Sequence, residues 1–568
     1  MTIANEEAET TTEGTTVTQE KTETVSVGEA VGRALAARGV AHVFGVVGSG
    51  NFMVTHGLVA GGVGFTAARH EMGAASMADS YSRLTGRVGA VSVHQGCGLT
   101  NAMTGIGEAA KSHTPVLVLT GDTEVGQRVG NFVIDQDSLV ASVGAIPRRI
   151  HSAATAVAEA VAAYDLAVRD RTTVVLSLPV DIQAEVAPDS PPIAPPVRTI
   201  PGGASAEGIE ELARILSEAK RPVLLGGRGA RHAAKEMRAL GAQVGAVLVP
   251  SAGARGLFAD EEWGLDVMGG FATPGARELI EEADVLVAFG AALNQWTAHH
   301  GTLTSQPIVV HVDDRVDAIG LHRGVTLGIV GDTAAVASAV ADVLASRGEP
   351  QTGLRTPEMA ERIRSIRYWV ENLPDEPEHP GRVAPGALTA ALDAILPRER
   401  VVVPDGGNVN MYPGSFLRVP DELGFVMPLS FQAIGLGLAN GIGAAIARPD
   451  RMTVVGTGDG SFMMGAVELD TAVREELGMV IVVYNDDAYG AEVHLFADQA
   501  DKHGIVRFPE TDLAAIARGY GCEAMTVRSL DDLGGVQEWL DGPRNRPLVI
   551  DAKIAGDASP LMKENHGH

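Results

Sequence analysis

Short apolar runs alternate with stretches of helical periodicity in the first third of this chain. Runs of about four to eight apolar residues favour buried strands, and apolar positions that recur every three or four residues favour amphipathic helices. We therefore predict strands at residues 42–46, 63–67, 88–93, 115–120 and 173–178, and helices at residues 28–37 and 73–84. Strands separated by helices form mostly parallel sheets, so we expect an α/β domain here.

The same alternation returns further along the chain. A second group of strands is predicted at residues 222–225, 243–249, 285–289 and 308–312. Residues 187–203 contain six prolines, and residues 348–381 are polar and also contain prolines, so both segments are expected to be linkers. We predict an α/β fold of three consecutive doubly wound parallel-sheet domains. The expected bounds are a disordered segment at 1–25, a first domain at 26–188, a linker at 189–203, a central domain at 204–347, a linker at 348–381, a third domain at 382–556 and a tail at 557–568.

The composition excludes several classes of protein. A length of 568 residues, with 45% hydrophobic and 20% charged residues, is typical of a soluble globular protein of about three or four domains. No apolar run approaches the ~20 residues of a membrane span, and a net charge of −27 argues against a nucleic-acid partner. Cys97 and Cys522 are the only cysteines, so we expect no disulfide framework and a reducing, cytoplasmic location. The Thr- and Glu-rich start of the chain does not resemble a signal peptide.

A polar turn follows each of two neighbouring apolar runs in the third domain. Gly-Asp-Gly stands at residues 458–460, and Asn-Asp stands at residues 485–486. The predicted elements around them are a strand at 453–457, a helix at 463–477 and a strand at 479–484. Because parallel strands present their carboxyl ends at one edge of the sheet, Asp459 and Asp486 can converge there, while Gly460 leaves room for a phosphate at the helix start. The pattern therefore suggests a site for a divalent metal and a diphosphate, although two unrelated turns would give the same pattern.

A second motif, in the first domain, supports the metal and diphosphate interpretation. Residues 69–75 read Arg-His-Glu-Met-Gly-Ala-Ala, with Val-Phe-Gly-Val at 43–46 before them and Gly-Cys-Gly-Leu-Thr-Asn at 96–101 after them. In this order, together with Gly-Asp-Gly and the downstream Asn-Asp, the motifs resemble the acetolactate synthase, pyruvate oxidase and benzoylformate decarboxylase branch of the thiamine diphosphate (ThDP) enzymes. The resemblance extends over about residues 26–556. It implies pyrimidine-binding, central and diphosphate-binding domains in that order.

The resemblance also implies a cofactor site and a magnesium site. ThDP would contact Glu71, Gly407, Asn408, Gln432, Ile434, Gly458, Asp459, Gly460, Ser461, Asp486, Ala488, Tyr489 and Gly490. Mg²⁺ would be held by Asp459, Asp486, the main-chain carbonyl of Ala488, two diphosphate oxygens and a water. The chain departs from the family pattern at Asp486, where an Asn is usual. The extra carboxylate adds a repulsion of about 2–4 kcal/mol beside a diphosphate, which the metal offsets, so we expect ThDP binding that depends strongly on the metal. Ile434 would be an apolar wedge between the cofactor rings, and its alternative is an ordinary core residue.

The candidate catalytic residues are Glu71, Ser49, His94, Gln95 and Glu492. By resemblance, Glu71 hydrogen-bonds the aminopyrimidine of ThDP. Because the family places this glutamate and the diphosphate site on different subunits, at least a homodimer is implied, and a tetramer is common in the family. Ser49 and His94 resemble the serine and histidine of benzoylformate decarboxylase, and the alternative for His94 is a polar strand-end residue bonded to backbone. Glu492 resembles the proton-transfer glutamate of 2-hydroxyacyl-CoA lyases, and its alternative is an exposed helical glutamate.

The central domain offers weaker signals. Residues 226–229 read Gly-Gly-Arg-Gly and could present amides to a phosphate, with charge from Arg228, Arg231 and Lys235, or could form a plain tight turn. Residues 289–294 lack the acidic and arginine residues found after the equivalent Phe-Gly in FAD-bearing acetolactate synthases, which argues against bound FAD.

Three functions agree with these patterns. The first is a 2-oxo-acid decarboxylase or carboligase of the acetolactate-synthase-like group, with a benzoylformate-decarboxylase-like enzyme as an alternative to it. A biosynthetic acetolactate synthase itself is less favoured, since residues 128–132 depart from the Phe-Gln-Glu segment expected there. The second is a 2-hydroxyacyl-CoA lyase, and the third is a cofactor-binding scaffold without catalysis. The substrate would be a small 2-oxo acid in the first case and a 2-hydroxyacyl-CoA in the second.

Overall fold

The computed structural model of the protein describes residues 24–189, 192–195, 202–348, 350–496 and 498–565. Almost all of the segment that we predicted to be disordered, residues 1–25, lies outside the described residues, as does part of the predicted linker at 189–203. The described residues form three parallel β-sheets with helices between successive strands, which confirms the predicted fold class. Within these residues, no helix combines the length and the apolar character that crossing a membrane requires.

The N-terminal sheet has the strand order β2-β1-β3-β4-β6-β5. Its strands are β1 (His42–Gly45), β2 (Gly64–Ala67), β3 (Gly89–Val93), β4 (Val116–Asp122), β5 (Ile146–Arg149) and β6 (Thr173–Pro179). Its helices are α1 (Val27–Arg38), α2 (Phe52–Ala60), α3 (Glu71–Thr85), α4 (Cys97–Lys111), α5 (Gln136–Ser142), α6 (Ala156–Asp170) and α7 (Val180–Ala184). Strands β3, β4 and β6 are buried along their whole length because helices cover both faces, which explains their continuous apolar runs.

The central sheet has the strand order β11-β10-β9-β7-β8. Its strands are β7 (Pro222–Gly226), β8 (Val247–Pro250), β9 (Val285–Phe289), β10 (Ile308–Asp313) and β11 (Leu327–Val330), and its helices are α8 (Ala206–Glu218), α9 (Ala234–Val244), α10 (Pro274–Glu281) and α11 (Thr333–Arg347). Arg255 ties this domain to the C-terminal one. Its buried guanidinium pairs with Asp266 at 2.7 Å and donates to the carbonyls of Gly414 and Ser415 at 2.8 and 2.9 Å.

The C-terminal sheet has the strand order β12-β13-β14-β16-β15. Its strands are β12 (Arg400–Pro404), β13 (Met452–Gly458), β14 (Val480–Asn485), β15 (Glu523–Val527) and β16 (Leu548–Lys553). The helices after the central domain are α12 (Pro357–Ile366), α13 (Pro385–Ile395), α14 (Gly437–Ala447), α15 (Asp459–Gly465), α16 (Leu469–Arg474), α17 (Gly490–Phe496), α18 (Asp498–His503), α19 (Leu513–Tyr520), α20 (Gly534–Asp541) and α21 (Pro560–Asn565). Helix α14 packs on α3 of the N-terminal domain, and the two domains share one buried apolar cluster.

Two predicted elements differ from the structure. The strand predicted at 243–249 begins only at Val247, because α9 continues to Val244 and ends at Gly245, whose φ of 65° is left-handed. The single helix predicted at 463–477 is divided into α15, a 3₁₀ turn at Ala466–Glu468, and α16. The break allows Glu468 to turn toward the N-terminal domain, as described below.

The predicted second linker and tail also carry more structure than expected. Residues 348–381 include α12, and Trp369 is buried with its indole N–H donating to the Phe271 carbonyl at 2.8 Å. The described part of the tail, residues 557–565, includes α21. It is fastened by a bond of 3.0 Å from the Ser559 amide to Asn408 Oδ1 and by an ion pair between Glu564 and Arg277. Neither segment is therefore a plain extended connection.

Candidate active site

Three of the predicted catalytic residues lie at the carboxyl ends of adjacent strands in the N-terminal sheet. Ser49 follows β1, His94 follows β3, and Glu71 is the first residue of α3 after β2. The turn that carries Ser49 is held by buried Asn51, whose side chain accepts from the Gly48 amide at 2.8 Å and donates to Ser92 Oγ at 2.9 Å. The sheet topology therefore brings together residues that are far apart in sequence, as expected for this edge of a parallel sheet.

Glu71 and His94 approach each other across Gly98, in the first turn of α4. A Cβ atom at position 98 would lie 3.1 Å from the Cβ of His94 and 3.4 Å from Glu71 Oε1. The other carboxyl oxygen of Glu71 accepts from Asn101 Nδ2 at 3.1 Å. Glu71 is partly exposed, so its carboxyl group is oriented by Asn101 yet accessible to a ligand.

His94 and Ser49 form a polar pair beside Glu71. Ser49 Oγ lies 3.4 Å from His94 Nε2, and His94 Nδ1 lies 3.0 Å from the carbonyl of Gln95. Because a carbonyl only accepts, Nδ1 carries the proton, and Nε2 of the neutral ring can accept from the serine hydroxyl. The Phe132 ring packs against the histidine with centroids 4.8 Å apart. The backbone bond foreseen in the alternative interpretation is thus present together with the serine contact.

Gln95 is placed differently from its two neighbours. It is buried, and its Oε1 atom packs against Gly50 and Gly121, with no hydrogen-bond partner within the described part of the chain. The side chain therefore fills the wall beneath the Ser49 turn.

Asp459 and Asp486 meet at the carboxyl ends of β13 and β14, where the Asp459 side chain is buried and the Asp486 side chain is partly buried. Their carboxyl groups are hydrogen-bonded to each other. Burial raises the pKa of Asp459 to about 6, and burial together with the neighbouring Asp459 raises the pKa of Asp486 to about 8. Two facing acidic groups of this kind can share a proton or hold a cation between them.

The donor set at this corner suits a hard cation that brings other ligands with it. Carboxylate and carbonyl oxygens are the ligands that Mg²⁺ prefers. In the described ranges, no three His, Cys, Asp or Glu side chains cluster as a complete metal site, so a cation here would need further oxygens from main chain, water or a bound anion. The next acidic residue, Asp487, pairs with Arg382 at 2.6 Å, and its charge still helps to raise the pKa of Asp459.

The residues after Asp486 close around it. Ala488 is buried and its amide donates to the Asp486 carboxyl group. A side chain at position 490 would collide with that carboxyl group, and a Cβ at Gly460 would lie 2.5 Å from the ring of Tyr489. The glycine at 460 therefore accommodates a tyrosine ring. Of the neighbouring predicted ligands, Ser461 is buried and Gly458 is partly exposed.

The turn after β12 completes the C-terminal edge. Gly407 is exposed with a φ of 99°, whereas Asn408 is buried and its side chain bonds the backbone of Asp557 and Ser559, each at 3.0 Å. Gln432 is exposed with a φ of 60°, and Ile434 is partly exposed and lies over Gly406. Gln432 and Ile434 thus present their side chains beside the turn instead of filling the core.

Comparison with known proteins explains this arrangement. Residues 25–141 match the N-terminal TPP binding domain of thiamine pyrophosphate enzymes, residues 209–340 match their central domain, and residues 405–552 match their C-terminal TPP binding domain. The chain is 30% identical over 535 residues to a probable 2-ketoarginine decarboxylase of Pseudomonas aeruginosa, an alignment that covers 90% of this chain and 91% of that protein. The chain belongs to the thiamine diphosphate enzyme family. It is a ThDP-dependent enzyme of three domains, as its sequence motifs indicated.

Other relatives carry different activities. A sulfoacetaldehyde acetyltransferase of Castellaniella defragrans is 27% identical over 563 residues, covering 91% of each chain. The large subunit of acetolactate synthase isozyme 2 of Escherichia coli is 28% identical over 546 residues, covering 91% of this chain and 94% of the subunit. These relatives belong to one family but carry three different activities, so the similarity alone does not identify the reaction.

Asp405 organises the C-terminal ThDP domain, although its role was not predicted. Its buried carboxyl group accepts from the amides of Gly406, Gly435 and Gly437 at 2.8 to 3.0 Å and from the Thr457 hydroxyl at 3.2 Å. Burial raises the pKa of this group. Asp405 thus joins the ends of β12 and β13 to the segment that contains Gln432 and Ile434.

Glu468 of the C-terminal domain binds backbone amides of the N-terminal domain. It is buried, and its carboxyl oxygens accept from the amides of Arg69 and His70 at 2.9 to 3.2 Å and from the Thr471 hydroxyl at 2.6 Å. Arg69 and His70 immediately precede Glu71 in the chain. The C-terminal domain therefore fixes the backbone from which the N-terminal glutamate projects.

Glu468 is expected to make the stability of the protein depend on pH. Burial raises its pKa above the ordinary value of 4.5, so the folded protein keeps a proton that the unfolded chain releases. The free energy of unfolding should therefore fall as pH rises from about 4.5 through the raised pKa, and Glu468→Gln should remove this part of the slope. Urea unfolding of both proteins between about pH 4.5 and neutrality measures it. If the free energy of unfolding changes with pH in the same way in both proteins, Glu468 does not cause this pH dependence.

Glu492 lies in the first turn of α17, six residues after Asp486. Its side chain is exposed. It thus occupies the short helix predicted from the sequence and remains accessible to solvent, as in the alternative interpretation.

The glycine-rich turn of the central domain is occupied by its own backbone. The amides of Gly227 and Gly229 donate to the carbonyls of Phe289 and Gly290 at 2.8 and 3.0 Å, and a side chain at position 227 would collide with Gly290. Arg228 donates to the Ser112 carbonyl, and Arg231 donates to the carbonyls of Arg83 and Gly253 at 3.2 and 2.9 Å. Lys235 is exposed. The glycines therefore serve the close approach of two loops, and the arginines bind main-chain carbonyls.

Proposed function

We propose that the protein uses ThDP and Mg²⁺ to cleave or form a carbon–carbon bond next to a carbonyl group, as a 2-oxo-acid decarboxylase or carboligase of the acetolactate-synthase-like group. The observation that carries this proposal is the Ser49 and His94 pair beside Glu71, at the carboxyl edge of the N-terminal sheet. A histidine bonded to a serine can take a proton and return it near the reacting carbon, which decarboxylation requires. The similarity to a probable 2-ketoarginine decarboxylase and to an acetolactate synthase subunit agrees with this reaction class.

The residues of the C-terminal edge fit the cofactor. The ThDP supplies the nucleophilic carbon and the electron sink for the reaction. In our proposal Asp459, Asp486 and the Ala488 carbonyl would hold Mg²⁺, and Glu71 would hydrogen-bond the aminopyrimidine. The remaining contacts would come from Gly407, Asn408, Gln432, Ile434, Gly458, Gly460, Ser461, Tyr489 and Gly490. The side chain of Asn408 is committed to the tail backbone, so its part would be to shape the turn.

The complete site would need a second copy of the chain. Glu71 bonds Asn101 in the N-terminal domain, and Asp459 bonds Asp486 in the C-terminal domain. Large apolar side chains remain exposed on the helix that follows the Ser49 turn and on the helix that begins at Asp459, with Phe52 54% and Met463 51% accessible. Burial of these side chains against a partner would stabilise the assembly. We therefore propose at least a homodimer, with the tetramer common in the family as the larger alternative.

The 2-hydroxyacyl-CoA lyase is the second candidate. The position of Glu492 favours it, in the first turn of α17 and six residues after Asp486. The basic central loop supports it less than the sequence suggested, because Arg228 and Arg231 already bind carbonyl oxygens.

A substrate panel separates the two candidates. The purified protein, supplied with ThDP and Mg²⁺, is assayed for CO₂ release from pyruvate, benzoylformate and 2-ketoarginine, and for formyl-CoA release from 2-hydroxyacyl-CoAs. Our proposal predicts CO₂ from at least one 2-oxo acid. Formyl-CoA release without CO₂ would establish the lyase instead.

His94→Ala is expected to lower kcat about 100-fold or more, because a positioned acid or base typically contributes that much. The apparent affinity for ThDP should be unchanged, since the histidine faces the serine and not the diphosphate corner. Steady-state kinetics at saturating cofactor measure the effect. His151→Ala is the matched control, because His151 also follows a strand of this domain but pairs with Glu159 at the surface. Equal kcat values for His94→Ala and the control would remove the histidine from the mechanism.

A further inference from the structure

The segment between Phe431 and Gly437 is held at both ends by buried carboxyl groups from different domains. At its C-terminal end, Asp405 accepts from the amides of Gly435 and Gly437, each at 3.0 Å. At its N-terminal end, the amide of Phe431 donates to Glu108 Oε2 at 2.7 Å, and Glu108 belongs to α4 of the N-terminal domain. Between these anchors lie Gln432 and Ile434, the residues proposed to contact ThDP.

The anchor at Phe431 is a docking site built into one face of α4. Gly107 leaves room for the phenylalanine ring, since a Cβ there would lie 2.8 Å from a ring carbon. The Lys111 ammonium lies 5.3 Å from the ring centroid, within range of a cation–π contact. The amide and the ring of Phe431 are therefore both fixed against α4, at positions 107, 108 and 111.

Arg83 holds Glu108 in the orientation that this contact requires. Its guanidinium donates to Glu108 Oε1 at 2.8 Å and to the Met427 carbonyl at 2.9 Å. It also pairs with Asp79, which is fully buried. Both oxygens of Glu108 are thus in use, one for Arg83 and one for Phe431, and the carboxyl group cannot rotate away without losing both bonds.

The conformation of Gln432 explains why an anchor is needed. Its φ of 60° is left-handed, which costs energy for any residue other than glycine and persists only where the surroundings impose it. Without the bond to Phe431, the segment would be free to relax, and Gln432 and Ile434 would lose the positions that they hold beside the Asp405 turn.

We propose that Glu108 is a positioning residue, which holds residues 431–434 of the C-terminal domain in the conformation that binds ThDP. The inference rests on the proposed function, since it takes these residues to be cofactor contacts. It assigns a role in cofactor binding to a carboxyl group that touches neither the cofactor nor the metal ligands. The competing explanation is that Glu108 only neutralises Arg83 and stabilises the fold.

Two variants of the same buried cluster distinguish these explanations. Glu108→Asp keeps the negative charge near Arg83 but is one methylene too short to reach the Phe431 amide as well. Asp79→Asn removes the other carboxylate bound to Arg83 and leaves the contact between Glu108 and Phe431 intact. The measurements are the dissociation constant of ThDP at saturating Mg²⁺, hydrogen exchange at the Phe431 amide, and the thermal midpoint of each full-length protein.

A positioning role predicts that Glu108→Asp weakens ThDP binding about tenfold and accelerates exchange at Phe431, because a charge-assisted hydrogen bond is lost. Asp79→Asn should lower the thermal midpoint but leave both other values within about twofold of wild type. Equal weakening of ThDP binding by the two variants, or unchanged binding with slow exchange in Glu108→Asp, would overturn the inference. If the wild-type protein itself fails to bind ThDP, the proposed function fails, while exchange at Phe431 still reports on the anchor.

Discussion

Glu71→Gln should reduce kcat by about 10²- to 10⁴-fold while ThDP and Mg²⁺ still bind, because the amide cannot replace a carboxyl group in proton sharing with the cofactor. The glutamine side chain can still accept a hydrogen bond from Asn101. The first turn of α3 and the packing of residue 71 against Gly98 should therefore be preserved. Steady-state kinetics and the dissociation constant of ThDP, measured on the same preparation, separate catalysis from binding.

Glu29→Gln provides the matched control for this experiment. Glu29 also lies in the first turn of a helix in the N-terminal domain, and it pairs with Arg33 on the surface. A glutamate at a helix start can be favoured by the helix dipole alone, and that effect would be the same in both variants. Comparable activities of Glu71→Gln and Glu29→Gln would show that Glu71 is only a helix-start residue.

Asp459→Asn should abolish metal-dependent binding of ThDP. Loss of a direct carboxylate ligand should weaken Mg²⁺ by more than the ~10- to 100-fold typical of residues that only support a ligand. The Asp486 carboxyl group would remain beside an uncharged amide, so the fold should survive, and a thermal unfolding curve checks this. Isothermal titration with ThDP, in the presence and absence of Mg²⁺, measures the loss.

Asp486→Asn tests whether the second carboxyl group beside Asp459 makes ThDP binding depend on the metal. It restores the residue usual in the family and removes one of two facing carboxyl groups. We expect weaker Mg²⁺ binding, because one carboxylate beside the metal is lost. Retention of ThDP without metal should improve only above about pH 8, where Asp486 of the metal-free protein is charged and opposes the diphosphate. Metal affinity equal to that of the wild type would contradict the argument from charge.

Much of the fold could be predicted from the hydrophobic pattern. The strands of a parallel sheet are buried on both faces, so β4 and β14 appear in the sequence as unbroken apolar runs with clear ends. The same pattern is ambiguous where a helix leads directly into a strand, as at Val244 and Val247, because short apolar runs suit both. The broken helix after Asp459 was not predictable, since it accompanies a long-range contact between Glu468 and the N-terminal domain.

The candidate site likewise contains residues that the sequence predicts and residues that it does not. Residues that directly follow strands, such as His94 and Asp459, could be predicted because topology places strand ends at one edge. The residues that orient them could not. Glu468 bonds a backbone amide 398 residues away, and Glu108 bonds one 323 residues away. A buried carboxyl group that serves distant amides leaves no local pattern in the sequence.

The central claim is that Glu71 of one subunit and Asp459 of another serve the same ThDP. Mixing the inactive variants Glu71→Gln and Asp459→Asn, after dissociation and reassembly or by coexpression, tests it most directly. In a mixed dimer, one site would contain both substitutions and the other neither, so about a quarter of the wild-type activity should return on random pairing. If mixed dimers form and remain as inactive as the separate variants, the two carboxyl groups do not meet across a subunit boundary.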